Sequence, residues 1–331
     1  MNHGLMVFFP NAPGSYFKMI YEYALEPELV ATWGSAHNFR YFLREFDRGK
    51  GRLVSRYPKA WFKKVWDAYD GAGEMDKKRL EELLIRMKDI MVKRKDCTWD
   101  DHVGGWLENA LNEHDRYPFQ AILARNNPDN LPQIICEDAL ANSPCQSWDL
   151  PHGITVNRNA PEMADAIKGI LSLCRWVKFI DPYISSGRPG YKRSLQDFLT
   201  IINKNRPMGP PEAVEIHTRG DGATSDYLKE NFKKCIPSGL SVTLFQWKER
   251  PGGQKLHNRY ILTDIGGVSF HHGLDAGSDG ETDDITRLDR EQYLIRCKQY
   301  DPASPAFDQA ADSLKIIGKL EPYKASQQKL I

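Results

Sequence analysis

A histidine and an arginine stand two residues apart in the run Leu256-His257-Asn258-Arg259-Tyr260-Ile261-Leu262-Thr263-Asp264. The run is predicted as a strand, on which alternate side chains leave the same face, so His257 and Arg259 are expected to project together. The pair suits phosphodiester chemistry. An imidazole nitrogen can attack phosphorus, and a guanidinium beside it can grip two phosphate oxygens in its planar fork. A fixed cation in a dry cleft then stabilises the charge that builds in the transition state. Asp264 lies an odd number of residues from His257, so on an unbroken strand it faces the other way and is expected to fix the strand end.

The elements that must position these groups are read from periodicity. Residues 1–125 are predicted to be mainly helical. Their clearest helix runs from Asp76 to Lys95, with Leu80, Leu83, Leu84, Met87, Ile90 and Met91 on one stripe; others cover Pro58–Tyr69 and Trp106–His114. Residues 126–153 are rich in Asn and Pro and read as a connector holding one short strand, LPQIICE. From 154 to 322 helices and strands alternate. Asn159 is placed to cap a helix with Glu162 three residues on. Strands are expected at 177–184, 213–219, 241–247, 257–264, 267–273 and 292–298, and helices near 193–203, 225–235 and 305–317. Several strands are apolar on both faces, which argues for an α/β sandwich.

On His257, Arg259 and Asp264 the chain resembles the phospholipase D superfamily, whose motif is His-x-Lys-x4-Asp followed by a glycine-containing segment. Arg259 stands where the family has lysine, and Phe270-His271-His272-Gly273-Leu274-Asp275 replaces its Gly-Ser/Thr-x-Asn continuation. The resemblance covers about residues 154–320, and the strand ending in Asp181-Pro182-Tyr183 resembles the first strand of such domains. It implies an α/β/α sandwich and a metal-independent phosphodiesterase without cofactor, in which His257 forms a phosphohistidine intermediate and Arg259 holds the phosphate. Glu291, ahead of the predicted strand QYLIRCK, sits where single-motif members place the acid that orients the histidine; Asp275 is the alternative. Active members use two motifs. His217-Thr218-Arg219 does not complete a second one, so a symmetric homodimer is expected to supply the second histidine. Proteins of similar layout are often nuclease effectors, including in antiviral defence with a protein partner. Superfamily domains with His-x-Arg and Gly-Leu-Asp also serve as non-catalytic modules that bind phosphorylated ligands or proteins.

A second feature lies between Arg40 and Lys64, where nine Lys/Arg accompany two acids and several aromatics. Arg40, Arg52, Arg56, Lys63 and Lys64 are candidate contacts to a nucleic-acid substrate, with the aromatics stacking bases. The plainer reading is an amphipathic helix pair with its aromatics in the core. Residues 275–291 carry seven acids and two arginines and are expected to form a flap or partner contact. His271 and His272 are expected to lie one inside and one outside a strand. Across all 331 residues the net charge is only +1, so any attraction for polyanions must be local. The six cysteines form no CxxC pair, and no compact histidine spacing suggests a metal. The apolar run before Pro10 is too short for a signal-peptide core, and no membrane span is read, so a cytoplasmic protein is expected.

Overall fold

The structure, a computed structural model, describes residues 19–71, 73–142, 145, 147–204 and 206–321. The N-terminal run considered for targeting lies outside them.

The chain builds two sheets. The first contains β1 (Tyr21–Leu25), β2 (Arg52–Ser55), β3 (Met91–Val92), β4 (Ala121–Leu123) and β5 (Ile134–Ile135) in the order β3-β2-β1-β4-β5. Every pairing in it is parallel. The expectation of a mainly helical segment is therefore corrected: its helices are organised around a parallel α/β sheet. These strands are short and buried on both faces, so they lack the alternation that reveals a half-exposed strand. The helix Glu74–Lys88 buries Leu80, Leu83, Leu84 and Met87 but ends earlier than expected, because Met91 and Val92 pair with β2. Lys93–Lys95 consequently follow a strand, and Arg94 is buried between Glu22 and Glu113. Within the expected connector, β5 completes this first sheet by pairing with β4.

The second sheet contains β6 (Gly153–Asn157), β7 (Trp176–Ile180), β8 (Ala213–Arg219), β9 (Ser241–Lys248), β10 (Tyr260–Thr263), β11 (Gly266–Phe270), β12 (Thr282–Arg287), β13 (Asp308–Gln309) and β14 (Leu314–Ile317). Its order is β13-β9-β8-β7-β10-β11-β12-β6, with β14 also on β9. The β7-β8-β9 block is parallel, and β10, β11, β12 and β6 continue it antiparallel. Side chains alternate between two cores. Val177, Phe179 and Ile261 join the core shared with helices at 160–173 and 189–203, while Ile180, Tyr260 and Leu262 pack with Tyr293 on the other face. The larger core also includes Tyr23, Leu53 and Val54, so both sheets share it. Arg287 adds polar ties, donating to the carbonyls of Met19 at 2.7 Å and Lys50 at 2.6 Å.

Four expectations are corrected here. QYLIRCK lies in the helix Arg290–Gln299, started by Asp289, whose side chain accepts from Gln292 N at 2.7 Å. The cap outweighs the strand-like composition, and Tyr293 and Cys297, four apart, face the core. Residues 305–317 form β13 and β14 rather than a helix. The acidic stretch is no flap across its length, since β12 pairs on both sides within the sheet. His271 and His272 are both exposed beyond the end of β11.

Candidate functional site

Parallel β7 and β8 end at one edge of the large sheet, where α/β folds commonly gather polar groups. Asp181 follows β7 directly and is fully buried. Its Oδ1 accepts from Tyr183 N at 2.9 Å, and its Oδ2 accepts from Leu274 N at 3.0 Å and from the Tyr191 hydroxyl at 3.2 Å. Burial holds the carboxyl above the ordinary carboxylate range, opposed by these donors and by the nearby Arg259 charge. Burial also pushes the Tyr191 hydroxyl upward, and the Asp181 charge adds to it.

The antiparallel register brings the start of β10 to this acid. Tyr260 pairs with Ile180, and Phe270 N donates to Arg259 O at 3.1 Å, so Arg259 enters beside Asp181 and the end of β11. Its half-buried guanidinium lies 5.4 Å from the Tyr183 ring centroid, and its Nε is buried with no hydrogen-bond partner. Tyr183 itself is 40 % exposed. His257 stands two residues ahead of Arg259, exposed and before the first paired residue of β10, rather than inside a strand as expected. Among the described residues no side chain hydrogen-bonds to its ring. Beyond β11 the backbone turns back over the site. Asp283 Oδ1 accepts from the N–H groups of His271 and His272, at 3.1 and 3.0 Å. Gly273 follows with φ +153°, and a Cβ there would stand 2.7 Å from Asp275 Oδ1 and 3.2 Å from Asp181 Oδ2. Only glycine admits this approach.

Asp275 is on the same side as Arg259 and bonds Arg158 Nη2 at 2.5 Å; Arg158 also pairs with Glu281 at 2.8 Å. Glu291 is elsewhere. Its helix packs on the opposite end of β10, where the Tyr293 hydroxyl donates to Thr263 O at 2.6 Å. It therefore does not orient His257, and the reason is the misread helix. Asp264 occupies that far end too, accepting from Arg175 N at 2.7 Å, Arg175 Nε at 3.0 Å and Trp176 N at 3.4 Å. It ties the β10–β11 hairpin to the start of β7.

The basic segment does not line this site. Arg48 donates to the Asp264 carbonyl at 2.8 Å, which places the adjoining turn at the end of β10 remote from Arg259. Arg52 is buried, paired with Glu45 at 2.9 Å and stacked on Trp148 at 4.3 Å, so it is corrected from substrate contact to core pairing. Lys64 lies over Trp99 at 4.6 Å, and Arg56 Nε bonds Lys59 O at 3.0 Å. Arg40 and Lys63 are exposed. Phe42, Phe46, Tyr57 and Trp61 are all buried, which leaves them no face for bases and favours the plainer reading of this segment.

Arg158, Tyr191 and Asp181 were not singled out for chemistry in the sequence. The available signal was Asp181 itself, an acid ending the strand-like run Val177-Lys178-Phe179-Ile180 before a proline. Among the described residues no group of three or more His, Cys, Asp or Glu is arranged to hold a metal ion, and no helix is long and apolar enough to cross a membrane. No protein-family model matches the chain, and no curated protein matches it significantly.

Proposed function

We propose that the chain is a phospholipase D-like, metal-independent phosphodiesterase that acts on nucleic acid through His257 and Arg259. The observation that carries this reading is Arg259: a half-buried guanidinium beside a buried acid and an exposed tyrosine, with Nε unpartnered and an exposed imidazole two residues ahead. The mixed sheet with helices on both faces supports the sandwich that the resemblance implies.

In the proposed step an imidazole nitrogen of His257 attacks phosphorus. A P–N bond forms and the P–O bond to the leaving alkoxide breaks. The His257 of a second copy donates the proton that the leaving oxygen takes up, then removes one from the water that hydrolyses the phosphohistidine. Arg259 neutralises the phosphate oxygens throughout. By the same resemblance the activity belongs to a nuclease effector, of the kind that works in antiviral defence.

The test is cleavage of DNA and RNA in excess EDTA, with solution mass measured on the same sample. Cleavage abolished by His257→Ala, in a dimer, supports the reading. A strictly monomeric protein that cleaves refutes the paired-histidine step, and no cleavage of any tested phosphodiester refutes the activity. A second reading is favoured by the bare His257 ring, which no described carboxylate orients. It is a non-catalytic module that binds a phosphorylated ligand. Binding without turnover, retained in His257→Ala and lost in Arg259→Ala, selects it.

A further inference from the structure

At the end of β10 remote from Arg259 a cavity of about 400 Å³ opens where the two sheets meet. Its walls come from separate segments: Arg44 from the helix Ala36–Glu45, Arg48 and Lys50 from the following turn, Arg86 from the helix Glu74–Lys88, and Arg290 from the helix Arg290–Gln299. Five cationic side chains thus face two acids, Asp47 and Asp89. Both acids are engaged. Asp47 accepts from Gly49 N at 3.0 Å, and Asp89 lies 3.7 Å from Arg290.

The positive charge is left largely uncompensated. Arg48 is pinned by the carbonyls of Asp264 and Asp89 and by the Tyr293 ring at 4.5 Å, and has no carboxylate partner among the described residues. Arg44, Lys50 and Arg86 are exposed, and their side chains have no ion pair among the described residues. Leu43 is half-buried at the cavity wall, and Phe46 and Ile90, each 1 % exposed, lie beneath it without a free face. Cations converging on one bowl, rather than following a groove, suit a compact polyanion better than a polymer backbone. The volume is that of a small-molecule site.

We propose that this cavity binds a compact polyphosphate, with the phosphates on Arg44, Arg48, Lys50 and Arg86. The proposal is independent of the chemistry assigned to His257. Because Arg290 begins the helix that follows the second sheet's β12 and the other cations belong to segments around the first sheet, a ligand bound here also stabilises their packing.

The experiment is calorimetric titration of the full chain with ATP in EDTA, alongside adenosine and inorganic tripolyphosphate as separate probes. ATP is expected to bind with stabilisation against heat, and adenosine not to bind. The double variant Arg44→Ala with Arg86→Ala, both exposed and unpaired, should weaken ATP by roughly tenfold or more, while His257→Ala leaves it unchanged. No ATP binding at millimolar concentration overturns the proposal, as does binding unmoved by the double variant. Loss of ATP binding in Arg259→Ala with the double variant unaffected assigns it to the other site and also overturns it. Tripolyphosphate is expected to bind as ATP does, and ATP binding without any tripolyphosphate binding overturns the assignment to the phosphates.

Discussion

Removal of the Asp264 carboxylate tests whether the aspartate of the motif acts on substrate or holds the sheet. Its side chain is 10 % exposed. The 2.7 Å bond from Arg175 N is the strong one, and the 3.4 Å bond from Trp176 N is long. The Arg175 guanidinium is 41 % exposed, so its 3.0 Å contact is screened and contributes at most a few tenths of a kcal/mol. A hydrogen bond to a charged acceptor contributes about 1.5–3 kcal/mol. Asp264→Ala should therefore cost about 2–3 kcal/mol, and Asp264→Asn, which keeps one acceptor, about 1 kcal/mol. At about 2 °C per kcal/mol for a chain of this size, the alanine variant melts about 4–6 °C lower. Calorimetry reads this directly, with exposed His257→Ala as the control that should not move. Cleavage by folded Asp264→Asn, assayed well below its melting temperature, should stay near wild type. An unchanged melting temperature in Asp264→Ala refutes the structural role. Turnover abolished in Asp264→Asn with stability kept would place the carboxylate on the substrate.

Arg94→Met should destabilise by about 3–5 kcal/mol in chemical denaturation, because Glu22 and Glu113, 3 % and 0 % exposed, lose the guanidinium that bonds both; a loss under 1 kcal/mol would contradict that accounting. His217 makes a pH prediction. The Trp247 indole N–H donates to its Nδ1 at 3.1 Å, so the neutral ring carries its proton on Nε2, 2.9 Å from Glu215. Burial lowers its pKa below the ordinary 6.5, with Glu215 opposing. The unfolded chain then takes up a proton that the native state resists, so stability is full above about pH 6.5 and falls as pH drops below it. Denaturation midpoints from pH 7 to 5 should show a shallower fall in His217→Gln than in wild type, and parallel curves would refute the assignment.

The helix Glu74–Lys88 and the helix capped by Asn159 were legible because their signals are local: an apolar stripe, and an asparagine whose side chain accepts from Glu162 N at 3.0 Å. Strands β8 and β9 were legible because apolar runs of that length between breakers have few other uses. The first sheet was not. Met91–Val92 and Ile134–Ile135 are two residues each, and their strand character exists only through parallel partners distant in sequence. The helix Arg290–Gln299 was misread for a related reason, since a Tyr-Leu-Ile run states no period by itself.

The candidate site divides in the same way. Residue type and spacing determined that an imidazole and a guanidinium sit two apart at the head of one strand, because chain connectivity sets that distance in any fold. Parity did not decide the place of Asp264, because His257 stands outside the paired strand; its bonds from Arg175 and Trp176 hold it at the far end of β10. Tertiary structure alone decided the rest. The β7–β10 register delivered Asp181 to Arg259, and the turn after β11 brought Asp275 and Gly273 to the same place. The helix at 290–299 carried Glu291 to the opposite end, and packing withdrew Arg52 and the aromatics from solvent. Those outcomes rest on hydrogen bonds and burial between segments far apart in the chain, whose pairing no local composition encodes.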